Sequence, residues 1–184
     1  ILFVGFFSQE KGPEVLFDAW LRLRESVPPS GVLFVGEIDA QYHEVDKSIA
    51  IRIRARAAAL GLERLVCFTG AMPDVTTAYH AADVFAMPSS REAFGMVLVE
   101  AMASGLPAVA SRLERVTDEI VAGGMTGYLV PPGDAEALAI ALASLLRDPG
   151  GAQRLGSHGR EAVVSRYGLD VARERWIEAY DSLR

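Results

Sequence analysis

The sequence predicts an α/β protein built on a doubly wound, parallel sheet. Three observations carry that prediction. Short apolar runs alternate with amphipathic stretches of helical length as far as Val130. Several of those runs are continuously apolar, as parallel strands buried on both faces should be. After Asp134 the chain reads as helix alone. Such βαβ alternation implies parallel strands with crossover helices.

The strand candidates are Ile1–Gly5, Val32–Gly36, Leu65–Thr69, Asp83–Met87, Pro107–Ala110 and Tyr128–Val130. A first helix is expected over 13–27. Pro13 fits its first turn, and Val15, Leu16, Ala19, Trp20, Leu23 and Val27 mark one apolar face. Pro28 and Pro29 then stop it. Further helices are expected over 43–60, 74–82, 94–104 and 116–122, and in the tail over 134–147, 150–166 and 170–182. Gly105 suits the C-terminal cap of the fourth, with Pro107 beyond it to block continuation. With no internal repeat, low-complexity tract or linker, residues 1–184 are expected to form a single domain.

A chain of 184 residues can bury a substantial core. With 51% hydrophobic and 23% charged residues it is not wholly disordered. The net charge of −6 argues against a nucleic-acid binder that works by neutralising phosphates in bulk. Cys67 lies in the apolar run Leu65–Phe68 and is expected to be a buried thiol, which leaves no disulfide framework or cysteine metal site. No apolar run approaches the ~18 residues needed to cross a bilayer, and no signal peptide is visible. The chain opens on Ile1 inside a strand candidate, and we expect a piece of a longer polypeptide.

Motifs of the commoner nucleotide folds are missing. No Gly-Lys pair makes a P-loop, and no three glycines fall at G-x-G-x-x-G spacing. His43, His80 and His158 are far apart in helical stretches, so no protein-bound metal is expected. The chemistry concentrates instead in Pro88–Pro107. There a strand candidate runs into the polar loop Ser89, Ser90, Arg91 and Glu92, then into an apolar helix starting near Phe94. In open α/β sheets, loops at the carboxyl ends of the strands bind ligands. A helix start aims free N–H groups at such a loop, which suits a phosphate. Glu100, two turns into that helix, has apolar neighbours on nearly every side. It either faces solvent on one stripe or needs partners, since an unpaired buried carboxylate is costly. Lys11, in the loop after the first strand, falls at a helix N-terminus where the macrodipole disfavours a cation. An exposed lysine is tolerated there at well under ~1 kcal/mol, and an anionic ligand sharing the space is the alternative.

Taken together, these residues resemble the C-terminal, nucleotide-binding domain of retaining GT-B glycosyltransferases of the group 1 (family 4) type. The resemblance runs over nearly the whole chain. It rests on Phe3-Val-Gly5 through Glu10-Lys-Gly12, Phe68-Thr-Gly70, Ala81-Ala-Asp-Val84, Pro88-Ser89, Glu92-Ala-Phe-Gly95, Glu100 through Pro107, and Gly127 through Asp134. Glu92 and Glu100, with seven residues between them, match the family's two-glutamate motif. The resemblance implies a Rossmann-like C-terminal half of a GT-B fold, with the N-terminal acceptor domain lying outside this chain. It implies a hexosyltransferase-like enzyme that moves a sugar from a UDP- or GDP-linked donor with retention of configuration. It calls for no metal and no cofactor beyond the donor. The acceptor it suggests is a saccharide or a lipid-linked glycan, and the setting is cytoplasmic, with peripheral attachment at the inner membrane face as a variant.

By the same resemblance Glu100 binds the ribose hydroxyls, and the backbone of Phe94, Gly95, Met96 and Val97 meets the diphosphate. Glu92 lies by the donor sugar, Lys11 offsets the charge of the departing diphosphate, and Gly70, Ala71 and Met72 line the base pocket with Gly36 nearby. Two positions depart from the family pattern. Phe6 stands where many relatives carry an arginine, with Arg91 and Arg112 as candidates to compensate, and Arg115 stands where glycine is usual. A nucleotide-sugar epimerase of GT-B architecture and a non-catalytic sugar-nucleotide-binding module are the alternative readings.

Overall fold

The structure is a computed structural model that describes residues 1–38 and 44–183. Six strands form one parallel sheet: β1 (Leu2–Val4), β2 (Val32–Val35), β3 (Val66–Phe68), β4 (Phe85–Met87), β5 (Ala108–Ser111) and β6 (Tyr128–Val130). Their order is β3-β2-β1-β4-β5-β6. The chain therefore winds outward through β2 and β3, returns to the far side of β1, and winds outward again through β4, β5 and β6. The reversal lies between β1 and β4, which pair through Leu2 and Phe85. The doubly wound sheet read from the sequence is the one observed.

Among the described residues the α-helices are α1 (Pro13–Leu23), α2 (Lys47–Ala59), α3 (Thr76–Ala81), α4 (Met96–Ala103), α5 (Thr117–Ile120), α6 (Ala135–Arg147), α7 (Pro149–Tyr167) and α8 (Leu169–Asp181). Strand side chains alternate between faces. Phe3, Phe34, Ala86, Val109 and Val130 join α1, α2 and α6 on one face. Leu2, Val35, Phe85, Met87, Ala108 and Ala110 join α3, α4, α5 and Val163 of α7 on the other. The first face is aromatic, with Phe34 stacked on Phe68 at 5.1 Å and Phe7 within 5.7 Å of both. The second packs by small residues. A Cβ on Gly156 of α7 would stand 2.1 Å from the Gly105 carbonyl oxygen, so backbone meets backbone there.

Several boundaries differ from expectation for local reasons. Helix α1 ends at Leu23, because the Ser26 N–H and hydroxyl both turn back to the Leu23 carbonyl, and Pro28 disfavours a helical Val27. Helix α2 begins at Lys47, where Asp46 caps the Ser48 N–H; residue 43, where a start was expected, lies outside the described residues, as does His43. Helix α4 begins at Met96 rather than at Phe94, because Gly95 is its left-handed N-cap. Helices α3 and α5 are shorter than expected. Cys67 corrects the sequence reading outright: it is exposed. Val66 and Phe68 pack on the aromatic face, so period two turns Cys67 to the other side of a terminal strand.

Candidate functional site

The two loops singled out by sequence leave the carboxyl ends of adjacent strands β1 and β4, on either side of the reversal, where open α/β sheets form their crevice. The first loop, residues 5–12, is held from below by Phe7, which is fully buried among the aromatic rings. The second, residues 88–95, begins with buried Pro88 and Ser89. The loops touch because Gly12 has no side chain: a Cβ there would lie 2.5 Å from the Pro88 carbonyl oxygen, and φ is +69°. The Ser90 N–H then donates to the Glu10 carbonyl at 2.7 Å.

That contact brings Lys11 and Glu92 together from 81 residues apart, with Lys11 Nζ donating to Glu92 Oε1 at 2.7 Å. The Ser89 hydroxyl donates to the same oxygen at 2.8 Å. The Glu92 side chain is only 8% exposed and that of Lys11 29%. This is a partly desolvated ion pair with a third polar partner, so it is more rigid than a surface pair. A free ammonium facing an open ligand site is not what the structure holds; the lysine is tethered by the other loop's glutamate.

Helix α4 starts beside this pair. Its Gly95 carbonyl accepts from the N–H groups of Leu98 and Val99. The amides of Met96 and Val97 precede that ladder and have no acceptor within the helix, which suits an anion. Gly95 has φ +90°, a conformation that favours glycine. The Phe94 side chain turns away and packs edge-on against Tyr167 of α7, centroids 5.5 Å apart. With Met96, Val99, Tyr167, Trp176 and Ala179 it lines an apolar groove of about 520 Å3.

Glu100 is the fifth residue of α4, little more than one turn in, not two. It is neither on a bare solvent stripe nor unpartnered. Its Oε2 accepts from the Tyr79 hydroxyl at 2.9 Å. Sequence reasoning passed over Tyr79, whose contact to Glu100 spans 21 residues and is made by α3 lying against α4; nothing local in the sequence points to it. Gly70 follows β3, and its carbonyl accepts from the Gly36 N–H at 3.0 Å, joining the ends of β2 and β3 at the same carboxyl edge. Met72 is half-buried against the Leu2 face of the core, next to Val75 and Tyr79.

Of the candidate compensating cations, Arg91 pairs with Glu10 at 3.3 Å on the exposed rim. Arg112 follows β5 at the same edge and is exposed. Phe6 is 39% exposed. Arg115 has φ +59°, alone among the described non-glycine residues in adopting positive φ. The loop thus keeps the backbone shape that glycine would take most easily. Buried Thr117 shapes it too, accepting from the Leu113 N–H at 2.7 Å and donating to the Ser111 carbonyl at 2.6 Å.

A cleft of about 600 Å3 lies elsewhere. It opens at the amino ends of the strands, between Pro28–Gly31, Asp83–Val84 and Gly105–Pro107. Among the described residues no three His, Cys, Asp or Glu side chains cluster to hold a metal, and no helix is long and apolar enough to cross a membrane.

Residues 1–162 match the family described as Glycosyl transferases group 1. The chain is 35% identical over 187 residues to the phosphatidyl-myo-inositol mannosyltransferase of Mycobacterium leprae, covering all of this chain and 46% of that protein. It is 36% identical over 185 residues to the D-inositol 3-phosphate glycosyltransferase of Corynebacterium urealyticum, covering 98% of this chain and 42% of that one. The chain thus spans about half the length of the curated relatives it matches. Among solved structures, the UDP complex of Anabaena Alr3699/HepE superposes with a TM-score of 0.85 at 29% identity, over 98% of this chain and 48% of that one.

Proposed function

We propose, from the premise that this chain belongs to the Glycosyl transferases group 1 family, that it binds the nucleotide-diphosphate sugar donor of a retaining GT-B glycosyltransferase. The observation that carries the reading is the junction of the two carboxyl-edge loops at the sheet reversal, where Lys11, Glu92 and the first amides of α4 meet. A diphosphate laid across that junction takes hydrogen bonds from the Met96 and Val97 amides and draws Lys11 from Glu92 to its own oxygens. Stronger anionic charge on the departing diphosphate then strengthens both contacts, which is how such a site lowers a barrier without moving a proton. Glu92, relieved of the lysine, faces the donor sugar, and Glu100 takes the ribose diol. The base lies against Gly70, Ala71 and Met72. Chain-held dipoles and Lys11 do the electrostatic work that a metal does in other sites.

UDP is the nucleotide favoured by the likeness to a UDP-bound neighbour, and GDP is the alternative. The residues 1–184 constitute one donor domain in this reading. The acceptor, a saccharide or lipid-linked glycan, binds a second domain, so this chain alone binds nucleotide and transfers little sugar in the cytoplasmic setting proposed for it. Calorimetric titration with UDP, GDP and ADP, repeated for Lys11→Ala and Glu100→Ala, tests the site; undiminished binding of the preferred nucleotide in both variants sinks it. Phe6, lying where an arginine would be a second diphosphate cation, favours the second reading, a binding module without transferase activity. Sugar transfer by a protein that joins this chain to an acceptor domain decides against that.

A further inference from the structure

The Tyr79–Glu100 contact goes beyond the roles set out above. Tyr79 is 3% exposed. Its ring packs edge-on against Phe85 of β4 at 6.0 Å, which holds the side chain in place from the sheet side. Its hydroxyl donates to Glu100 Oε2 at 2.9 Å and also lies 3.4 Å from the Val97 carbonyl. Val97 is one turn before Glu100, so the carboxylate is folded back along α4 toward the helix start and the carboxyl edge of the sheet. Helical side chains lean that way in general, and the phenol fixes the lean to one position. Burial, and then the hydrogen bond and charge of Glu100, push the phenol well above its usual range. It therefore stays a proton donor where a free phenol would already ionise. Glu100 Oε1 takes no hydrogen bond from any described residue.

We infer that Tyr79 is a positioning residue that sets the discrimination between ribose and deoxyribose nucleotides, by occupying Glu100 Oε2 and leaving Oε1 to accept from a vicinal diol. The inference rests on the donor-binding reading of the site. A carboxylate with both oxygens free can rotate, and its best two-point contact with a diol is then one arrangement among several. With one oxygen claimed by a rigid phenol, the other is held where the diol must come. A ligand that lacks the hydroxyls leaves Oε1 unpaired at partial burial and is rejected for that reason.

The test uses this chain, titrated calorimetrically with UDP and with 2′,3′-dideoxy-UDP. The wild-type chain is expected to prefer UDP by about tenfold or more. Tyr79→Phe keeps the ring and its contact with Phe85. It should weaken UDP about threefold to tenfold, leave the dideoxy nucleotide unchanged, and have no added effect in a Glu100→Ala background. Equal weakening of both nucleotides means that Tyr79 only packs, and overturns the inference. So does a Tyr79→Phe chain with the wild-type preference. A Glu100→Ala chain that still prefers UDP, or a wild-type chain that does not bind it, overturns the donor reading underneath.

Discussion

The two ends of the sheet are built on different principles. At the amino end, proline and glycine connections between strands and helices leave a cleft of about 600 Å3. At the carboxyl end, two loops close on each other through Gly12 and hold a partly desolvated ion pair between them. A cleft arises wherever helices of unequal length leave a sheet edge uncovered, whereas a lysine and a glutamate brought together from 81 residues apart require both loops to hold their shape. Partial desolvation makes each interaction at the carboxyl end count for more than it would in water. The lesson is that cavity size alone locates space, and convergent charge marks the candidate site.

The largest expected effects separate the ends by backbone contact. Gly12→Ala introduces a Cβ 2.5 Å from the Pro88 oxygen at a left-handed φ. It should cost about 2–4 kcal/mol in denaturant unfolding, and it should weaken UDP binding because the loops must part. Gly156→Ala meets the Gly105 carbonyl, beside the amino-end cleft, at 2.1 Å. It should cost about 1–3 kcal/mol with UDP affinity intact. If the two lose UDP binding equally, the ends are not functionally distinct.

Next comes charge. On the proposed reading Lys11→Ala removes a charge-assisted contact to the diphosphate, and it should lower UDP affinity by about 1.5–3 kcal/mol, roughly tenfold to a hundredfold. Asp83→Asn, in the amino-end cleft, should change it by less than about twofold. The reverse pattern in a titration would move the site to the amino-end cleft. A finer experiment concerns the tether itself. Glu92→Gln frees Lys11 from its anionic partner, so UDP should bind about 1 kcal/mol more tightly, some fivefold, even as transfer by a full-length enzyme falls. Weaker binding by that variant argues that Glu92 contacts the nucleotide directly.

Smallest is the loop after β5. Arg115→Gly relieves a left-handed arginine at the cost of a more flexible unfolded chain, for a net gain of up to about 1 kcal/mol in thermal unfolding. Tyr79 adds a pH signature. Its folded-state phenol is raised above the ordinary value, so stability is full below about pH 10. Above that the unfolded phenol ionises while the folded one does not, and stability falls. Tyr79→Phe should flatten that alkaline slope in denaturant titrations.

Much of this was legible in one dimension. The alternation of apolar runs with helical stretches follows from what a two-faced parallel sheet must bury, so the architecture and most elements could be read directly. Lys11 and Glu100 stood out because one sits at a helix start and the other inside an apolar helix, where its residue type needs a reason. What escaped the sequence were contacts between elements. Cys67 looked buried because its run is apolar, but exposure is set by strand order, and β3 is terminal. Helix α1 stopped short because Ser26 turns the chain back to the Leu23 carbonyl before Pro28 is reached.

By itself, then, the sequence determined the fold and the edge of the sheet where the candidate site residues collect, since periodicity and helix starts are local properties of the chain. Only the tertiary structure decided how the charges there are partnered: Lys11 with Glu92, and Glu100 with Tyr79. Pairing at 2.7 and 2.9 Å depends on how loops and helices from distant segments come to lie. The physical reason is that propensity acts over one or two turns, while electrostatic partnership is set by the packing of the sheet's two halves.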